Sequence, residues 1–141
     1  TRMHFNIHAD CGARGNPGPA GAGAMIRDGL GNSIASVSQF LGIRTNNFAE
    51  YEAVILAFEA LAKIVPKAKR SVTYVTVKMD SELVVKQMRG EYKIKNPVLK
   101  EQYARLASLA ATFASVTFIH VPREQNSDAD ALANSAMDIG A

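Results

Sequence analysis

Met3, Phe5, Ile7 and Ala9 alternate with His4, Asn6, His8 and Asp10, and that period of two marks a strand with one buried face. Ala22 to Arg27 and Ser33 to Leu41 repeat the pattern, so the first three strands are expected to form an antiparallel meander. Asn46 or Asn47 is then placed to cap a long helix that runs to about Ile64 and stops before Pro66. Val72 to Met79 is β-branched and alternating, a fourth strand that ends on Asp80. Ser81 is expected to cap a helix to Arg89, with Gly90 as its stop. Glu91 to Pro97 reads as a loop. Leu99, Tyr103, Leu106, Leu109 and Phe113 recur with helical spacing over Val98 to Ala114. Val116 to Val121 is a fifth strand, and Ser127 is expected to cap a closing helix to about Asp138.

This order predicts the α/β class. A five-stranded mixed sheet has strands one to three antiparallel and strands one, four and five parallel, with helices on its faces. One domain over residues 1–141 is expected. In such sheets ligands gather outside the carboxyl ends of parallel strands. Asp10 and Asp80 both end strands there, so two acids distant in sequence are expected to meet. The stretch after Asp10 carries Gly12, Gly15, Pro17, Gly18 and Pro19, residues that fix a turn and let backbone approach a ligand.

Composition narrows the class without naming a function. The 141 residues carry a net charge of +3 and a pI near 9.1, mildly basic and compatible with a polyanionic partner. No apolar run approaches a bilayer span, so no membrane partner is expected. A lone cysteine, Cys11, excludes an intrachain disulfide and suits a reducing cytoplasm.

Three further acids are candidates to join Asp10 and Asp80. Glu50 shares a helix face with Ala53, Val54, Ala57 and Leu61, whereas Glu52, Glu59 and Lys63 lie opposite, so Glu50 looks toward the sheet. Asn47 to Glu50 also fits a capping box, in which the glutamate only closes a helix end. Asp128 and Asp130 flank the apolar side of the last helix, and periodicity does not choose between them. A zinc site of His4, His8 and Asp10 is excluded, because four residues of strand span roughly 13 Å.

Asp10 with Gly15-Asn16-Pro17-Gly18-Pro19, Thr45-Asn46-Asn47-Phe48-Ala49-Glu50, Asp80-Ser81, and Val121-Pro122-Arg123-Glu124-Gln125-Asn126 with Asp130-Ala131-Leu132-Ala133 together resemble type 1 ribonuclease H. The match runs in order over about residues 3 to 138. The resemblance implies a ribonuclease H-like fold and a four-carboxylate site at Asp10, Glu50, Asp80 and Asp130, selecting Asp130 over Asp128. It implies two Mg²⁺ ions, with Mn²⁺ as a substitute, about 4 Å apart. Asp10 would bridge them, Asp130 would serve the ion that activates water, and Asp80 and Glu50 the ion at the leaving group. The implied reaction is endonucleolytic hydrolysis of the RNA strand of an RNA–DNA hybrid, leaving 3′-hydroxyl and 5′-phosphate ends. Glu50 would also accept a hydrogen bond from the ribose 2′-hydroxyl. Asn16, Asn46 and Asn47 match groove-reading positions, and Thr45 and Asn46 match positions that grip a DNA-strand phosphate. A cytoplasmic monomer is expected, and some members of the family open a larger two-activity polypeptide.

The departures are informative. Cys11-Gly12 follows Asp10 where the family often has Gly-Ser. Arg89 to Pro97 is too short for the basic protrusion of some members, which leaves Arg14, Lys86, Arg89, Lys93 and Lys95 as candidate phosphate contacts. The loop before the last helix is short and lacks the histidine found in some members. His120 lies within the fifth strand and is no substitute, and Glu124 is the candidate accessory residue in that loop.

Overall fold

A computed structural model describes residues 2–140. Strands β1 (Met3–Ala13), β2 (Gly18–Asp28) and β3 (Ser33–Arg44) form the meander. Helix α1 (Asn46–Ile64) and a 3-10 turn (Lys67–Val72) lead to β4 (Thr73–Met79), α2 (Glu82–Met88) and α3 (Pro97–Ala110). Then come β5 (Ser115–His120), a second 3-10 turn (Arg123–Asn126) and α4 (Ser127–Gly140). The sheet order is β3-β2-β1-β4-β5, with β1, β4 and β5 parallel as expected. β1 is therefore central, and its carboxyl end sits where the chain has crossed from one side of the sheet to the other.

Strand pleating sorts the residues between two layers. Ala22, Ala24 and Ile26 join Ile7, Val75 and Val77 in the core beneath α1. Gly21 and Gly23 face the opposite way, against α4. A Cβ at either position would strike the α4 backbone, at the Ala133 carbonyl from Gly21 and the Ala129 carbonyl from Gly23. Only glycine lets helix and strand approach that closely. α4 thus rests on β2 backbone to backbone, with Ala129, Ala133, Ala136 and Met137 buried around the contact.

Several boundaries differ from the sequence reading. Gly18 and Pro19 belong to β2, so the glycine- and proline-bearing loop shrinks to Arg14–Pro17; the Pro19 carbonyl accepts from the Arg14 amide at 2.9 Å. The N-cap of α1 is Thr45, whose Oγ1 accepts from the Phe48 amide at 3.2 Å, and Asn46 and Asn47 lie inside the first turn. That register makes Phe48 the third helical residue and removes the capping-box role from Glu50. The face of α1 opposite Glu50 carries α3: Glu52 accepts from Gln102 at 3.1 Å and pairs with Arg105 at 3.2 Å, while Glu59 is exposed. Lys67–Val72 winds into a 3-10 turn, so β4 starts at Thr73 and not at Val72. α3 begins at Pro97, capped by Asn96, whose Oδ1 accepts from Val98 at 2.8 Å. Ser127 does not cap α4. It is already helical (φ −59°, ψ −35°), because the 3-10 turn of Arg123–Asn126 runs straight into the helix.

Candidate active site

Asp10 leaves the sheet on the α4 side, paired in register with Gly23. Asp80 follows the last residue of the neighbouring parallel strand β4, and the Val121 amide, just beyond β5, donates to the Met79 carbonyl at 2.8 Å. Glu50 comes down from the second turn of α1, and Asp130 comes from the first turn of α4. The four acids line one cleft of about 400 Å³, with Cys11, Gly12, Ala13, Asn46 and Arg123 completing its wall. Asp128, the alternative on α4, is turned away and pairs with Arg27 at 2.5 Å.

Charge crowding is the dominant feature of the cleft. Asp10 is 6 % exposed. Its pKa is pushed up to about 8, first by burial and then by the negative charges of Asp80 and Asp130, against a lowering by the Cys11 amide that donates to its Oδ1 at 2.8 Å. Burial also raises Glu50, with Asp80 adding to the effect, while hydrogen bonds from Ser81 and Cys11 oppose it. Asp130 is partly neutralised by Arg123 at 3.7 Å and accepts from Asn134 at 3.3 Å. Burial, then the charges of Glu50, Asp10 and Asp80, raise the Cys11 thiol, which therefore stays protonated at neutral pH.

A metal-binding role was tested on the donors themselves. They are oxygen-only and anionic, the set that suits a hard divalent cation. Among the described residues, no three His, Cys, Asp or Glu side chains already converge as ligands of one ion. Asp10 is occupied with the Cys11 amide. The donors fit a hard cation in kind and in placement within one cleft, and a cation would draw them together.

The raised Asp10 pKa has a consequence for stability. Between about pH 4 and about pH 8 the unfolded chain has lost this proton and the folded protein keeps it, so stability falls as pH rises through that window. Asp10→Asn removes the penalty. In EDTA the variant should melt about 5 °C above wild type at pH 8, and the gain should vanish near pH 4. Thermal melts across that range check it; a gain independent of pH would mean that Asp10 is not the group responsible.

The groove-reading candidates separate into two places. Asn46 faces the carboxylate cleft, and its backbone N–H donates to Asn16 Oδ1 at 3.1 Å, which ties the β1–β2 loop to the start of α1. Asn16, Thr45 and Asn47 line an adjoining cavity of about 450 Å³ with Arg44 and Asn96. The Arg44 guanidinium there lies 4.4 Å from the Phe48 ring centroid. Glu124 is exposed on the 3-10 turn and does not line the cleft; its neighbour Arg123 does. Three of the basic candidates are already engaged: Arg14 with Asp138, Lys86 with Glu82 at 2.6 Å, and Arg89 with Glu91 at 3.8 Å.

His120 ends β5, with its Nε2 3.3 Å from the Asp80 backbone carbonyl. It touches the chain that carries Asp80 and not the carboxylate. His120→Ala should accordingly lower turnover by less than about threefold, the scale of one exposed hydrogen bond. A loss above tenfold in a variant of normal stability would give His120 a direct role.

Sequence reasoning passed over Arg123, Asn126 and Asn96. Arg123 and Asn126 lie in a motif that was recognised as a whole, but neither residue has a periodic position that would mark it. Asn96-Pro97 carries a helix-start signature at the end of a segment whose polar residues otherwise suit a loop.

Comparison with known proteins agrees with the fold. The family model described as reverse transcriptase-like matches residues 8–136. The bifunctional protein Rv2228c of Mycobacterium tuberculosis is 42% identical over 140 residues, covering 99% of this chain and 37% of that protein. This chain therefore spans little more than a third of that relative. The solved N-terminal RNase H domain of Rv2228c superposes with a TM-score of 0.88 at 40% identity, covering 96% of this chain and 99% of that one. Ribonuclease HI of Halobacterium salinarum is 39% identical over 134 residues, 94% of this chain and 64% of that protein. LC11-RNase H1, isolated from compost, superposes with a TM-score of 0.90 at 46% identity and covers 97% of both chains. It has also been solved in complex with an RNA/DNA hybrid. The chain belongs to the type 1 ribonuclease H family.

Proposed function

We propose that this domain, taken as one unit over residues 1–141, is an endoribonuclease that hydrolyses the RNA strand of RNA–DNA hybrids and leaves 3′-hydroxyl and 5′-phosphate ends. The observation that carries the proposal is the meeting of Asp10 and Asp80, from adjacent parallel strands, with Glu50 and Asp130, from helices on opposite faces of the sheet, in one cleft. The hybrid complex of LC11-RNase H1 supports the choice of substrate.

Asp10, Glu50, Asp80 and Asp130 would hold two Mg²⁺ ions, with Mn²⁺ able to replace them. Asp10 would be shared between the ions, with Asp130 on the side of the attacking water and Glu50 and Asp80 on the side of the leaving oxygen. Bound there, the ions would supply charge neutralisation and a more acidic water. The chain's own residues do the remainder. Asn16, Asn46 and Asn47 present amides to the groove, and Thr45 and Asn46 meet a DNA-strand phosphate beside Arg44. Glu50 accepts from the 2′-hydroxyl, which selects RNA as the cut strand. Arg123 offers a positive charge at the cleft rim, and Glu124, exposed beside it on the turn, would assist exchange of metal or product. A monomer working in the cytoplasm completes the proposal, and no helix of the described residues is long and apolar enough to cross a membrane.

The test is a gel with labelled RNA–DNA hybrid, duplex RNA and duplex DNA, each with Mg²⁺ and with EDTA. Cleavage confined to the RNA strand of the hybrid and abolished by EDTA is the expected result. EDTA-resistant cleavage, or equal cutting of the DNA strand, overturns the proposal.

A further inference from the structure

The parallel pairing of β1 with β4 runs from Met3↔Thr73 to Ala9↔Met79 and then stops. Beyond that point the strands part, and their last backbone groups need partners from elsewhere. Asn126 supplies them. Its side chain is buried, the residue being 1 % exposed, and Nδ2 donates to the Ala9 carbonyl at 2.9 Å and to the Lys78 carbonyl at 3.3 Å. These acceptors lie one residue before Asp10 and two residues before Asp80. One amide nitrogen thus bridges the two strands at the fork from which both acids emerge.

We propose that Asn126 is a positioning residue that fixes the spacing of the strand ends carrying Asp10 and Asp80, and that His8 sets the orientation of its amide. The inference rests on the ribonuclease reading above for its kinetic consequence, though not for its geometry. An amide NH₂ has two hydrogens, one for each carbonyl. The Oδ1 must then accept, and His8 Nδ1 lies 3.0 Å from it. His8 therefore presents Nδ1–H. Were the amide reversed, its oxygen would face two carbonyl oxygens and its NH₂ would face the imidazole. Asn126 also closes the 3-10 turn that becomes α4, one helical turn before Asp130. One residue therefore joins the supports of three of the four acids, by its side chain those of Asp10 and Asp80 and by its backbone that of Asp130, and Glu50 alone stands on an independent element.

A buried asparagine that merely satisfies backbone groups would affect stability and nothing else, so turnover and metal affinity of the folded protein decide, with local amide exchange beside them. Wild type, Asn126→Ala, His8→Phe and His8→Asn are compared in hybrid cleavage at saturating Mg²⁺, in Mn²⁺ titration without substrate, and in amide hydrogen exchange of the metal-free protein. All are measured at a temperature where each is folded. His8→Asn keeps an N–H where Nδ1 was, whereas His8→Phe keeps the ring and loses the donor. Asn126→Ala should lower kcat about 30-fold with KM within about twofold, and weaken Mn²⁺ binding about tenfold, the range typical of groups that orient metal ligands. Exchange at the Asp10 and Cys11 amides should quicken. His8→Phe should lose about tenfold in kcat, and His8→Asn should recover most of that loss.

A folded Asn126→Ala with normal kcat and normal Mn²⁺ affinity overturns the proposal. Equal effects of His8→Phe and His8→Asn remove the donor role of His8. If Asn126→Ala does not fold, the two His8 variants decide. An inactive wild type would sink the ribonuclease reading instead, and the Mn²⁺ and exchange measurements would still judge the anchor.

Discussion

Asp10→Asn is expected to reduce Mg²⁺-dependent hybrid cleavage by about four orders of magnitude, because the variant loses the carboxylate proposed to be shared between both ions. Hybrid affinity measured in Ca²⁺ should stay within about threefold of wild type, since groove and phosphate contacts come from other residues. The contrast follows from position. Asp10 lies at the floor of the cleft, whereas Asn16, Thr45 and Asn47 line the adjoining cavity. A parallel collapse of affinity and rate in a folded variant would assign Asp10 to substrate binding.

Glu50→Gln separates catalysis from helix closure. With Thr45 as the N-cap, Glu50 has no backbone amide to close, so its carboxylate is free for the cleft. Removing that charged oxygen should cost about three orders of magnitude in turnover. Stability should hold or rise slightly, because one of four mutually repelling acids is gone. Glu59→Gln, exposed on the far side of α1, is the control and should match wild type. Glu52→Gln is a poorer control than periodicity suggested, since Glu52 joins α1 to Gln102 and Arg105. Cleavage rates beside thermal melts for the set provide the measurement. A silent Glu50→Gln would remove Glu50 from the site.

The sheet and two of its acids were legible because period-two alternation and β-branched runs report strands directly, and Asp10 and Asp80 end such runs. Caps were harder to read. Thr45, Asn46 and Asn47 are consecutive and all good caps, so propensity could not rank them, and the choice fell to where β3 ends. The start of β2 was hidden because glycine and proline read as loop, although Pro19 needs only its carbonyl in the hairpin. Asp130 and Asp128 were equivalent by pattern. Their difference is the roll of α4 on the sheet, a tertiary contact at Gly21 and Gly23 that no local pattern encodes. The cover of Glu52 by α3 was not legible, because an amphipathic pattern shows which side is apolar and not whether a second helix covers the other.

The backbone seat of α4 on β2 makes the distance from Asp130 to Asp10 a hard stop. Elsewhere in the core, side chains separate the layers, and a change in one can be absorbed by rotamer shifts in its neighbours. At Gly23 nothing lies between helix and strand that could shift. Asp10 is the register partner of that glycine, so the stop sits directly beside the acid whose spacing it governs. A single methyl group there would act as a shim under α4, lifting Asp130 by a fixed step and leaving Glu50 and Asp80 where they are. Apart from Asn134, which donates to Asp130, the outward surface of α4 can therefore vary without moving the backbone that sets this gap, and a small adjustment of the gap is one carbon atom on a glycine.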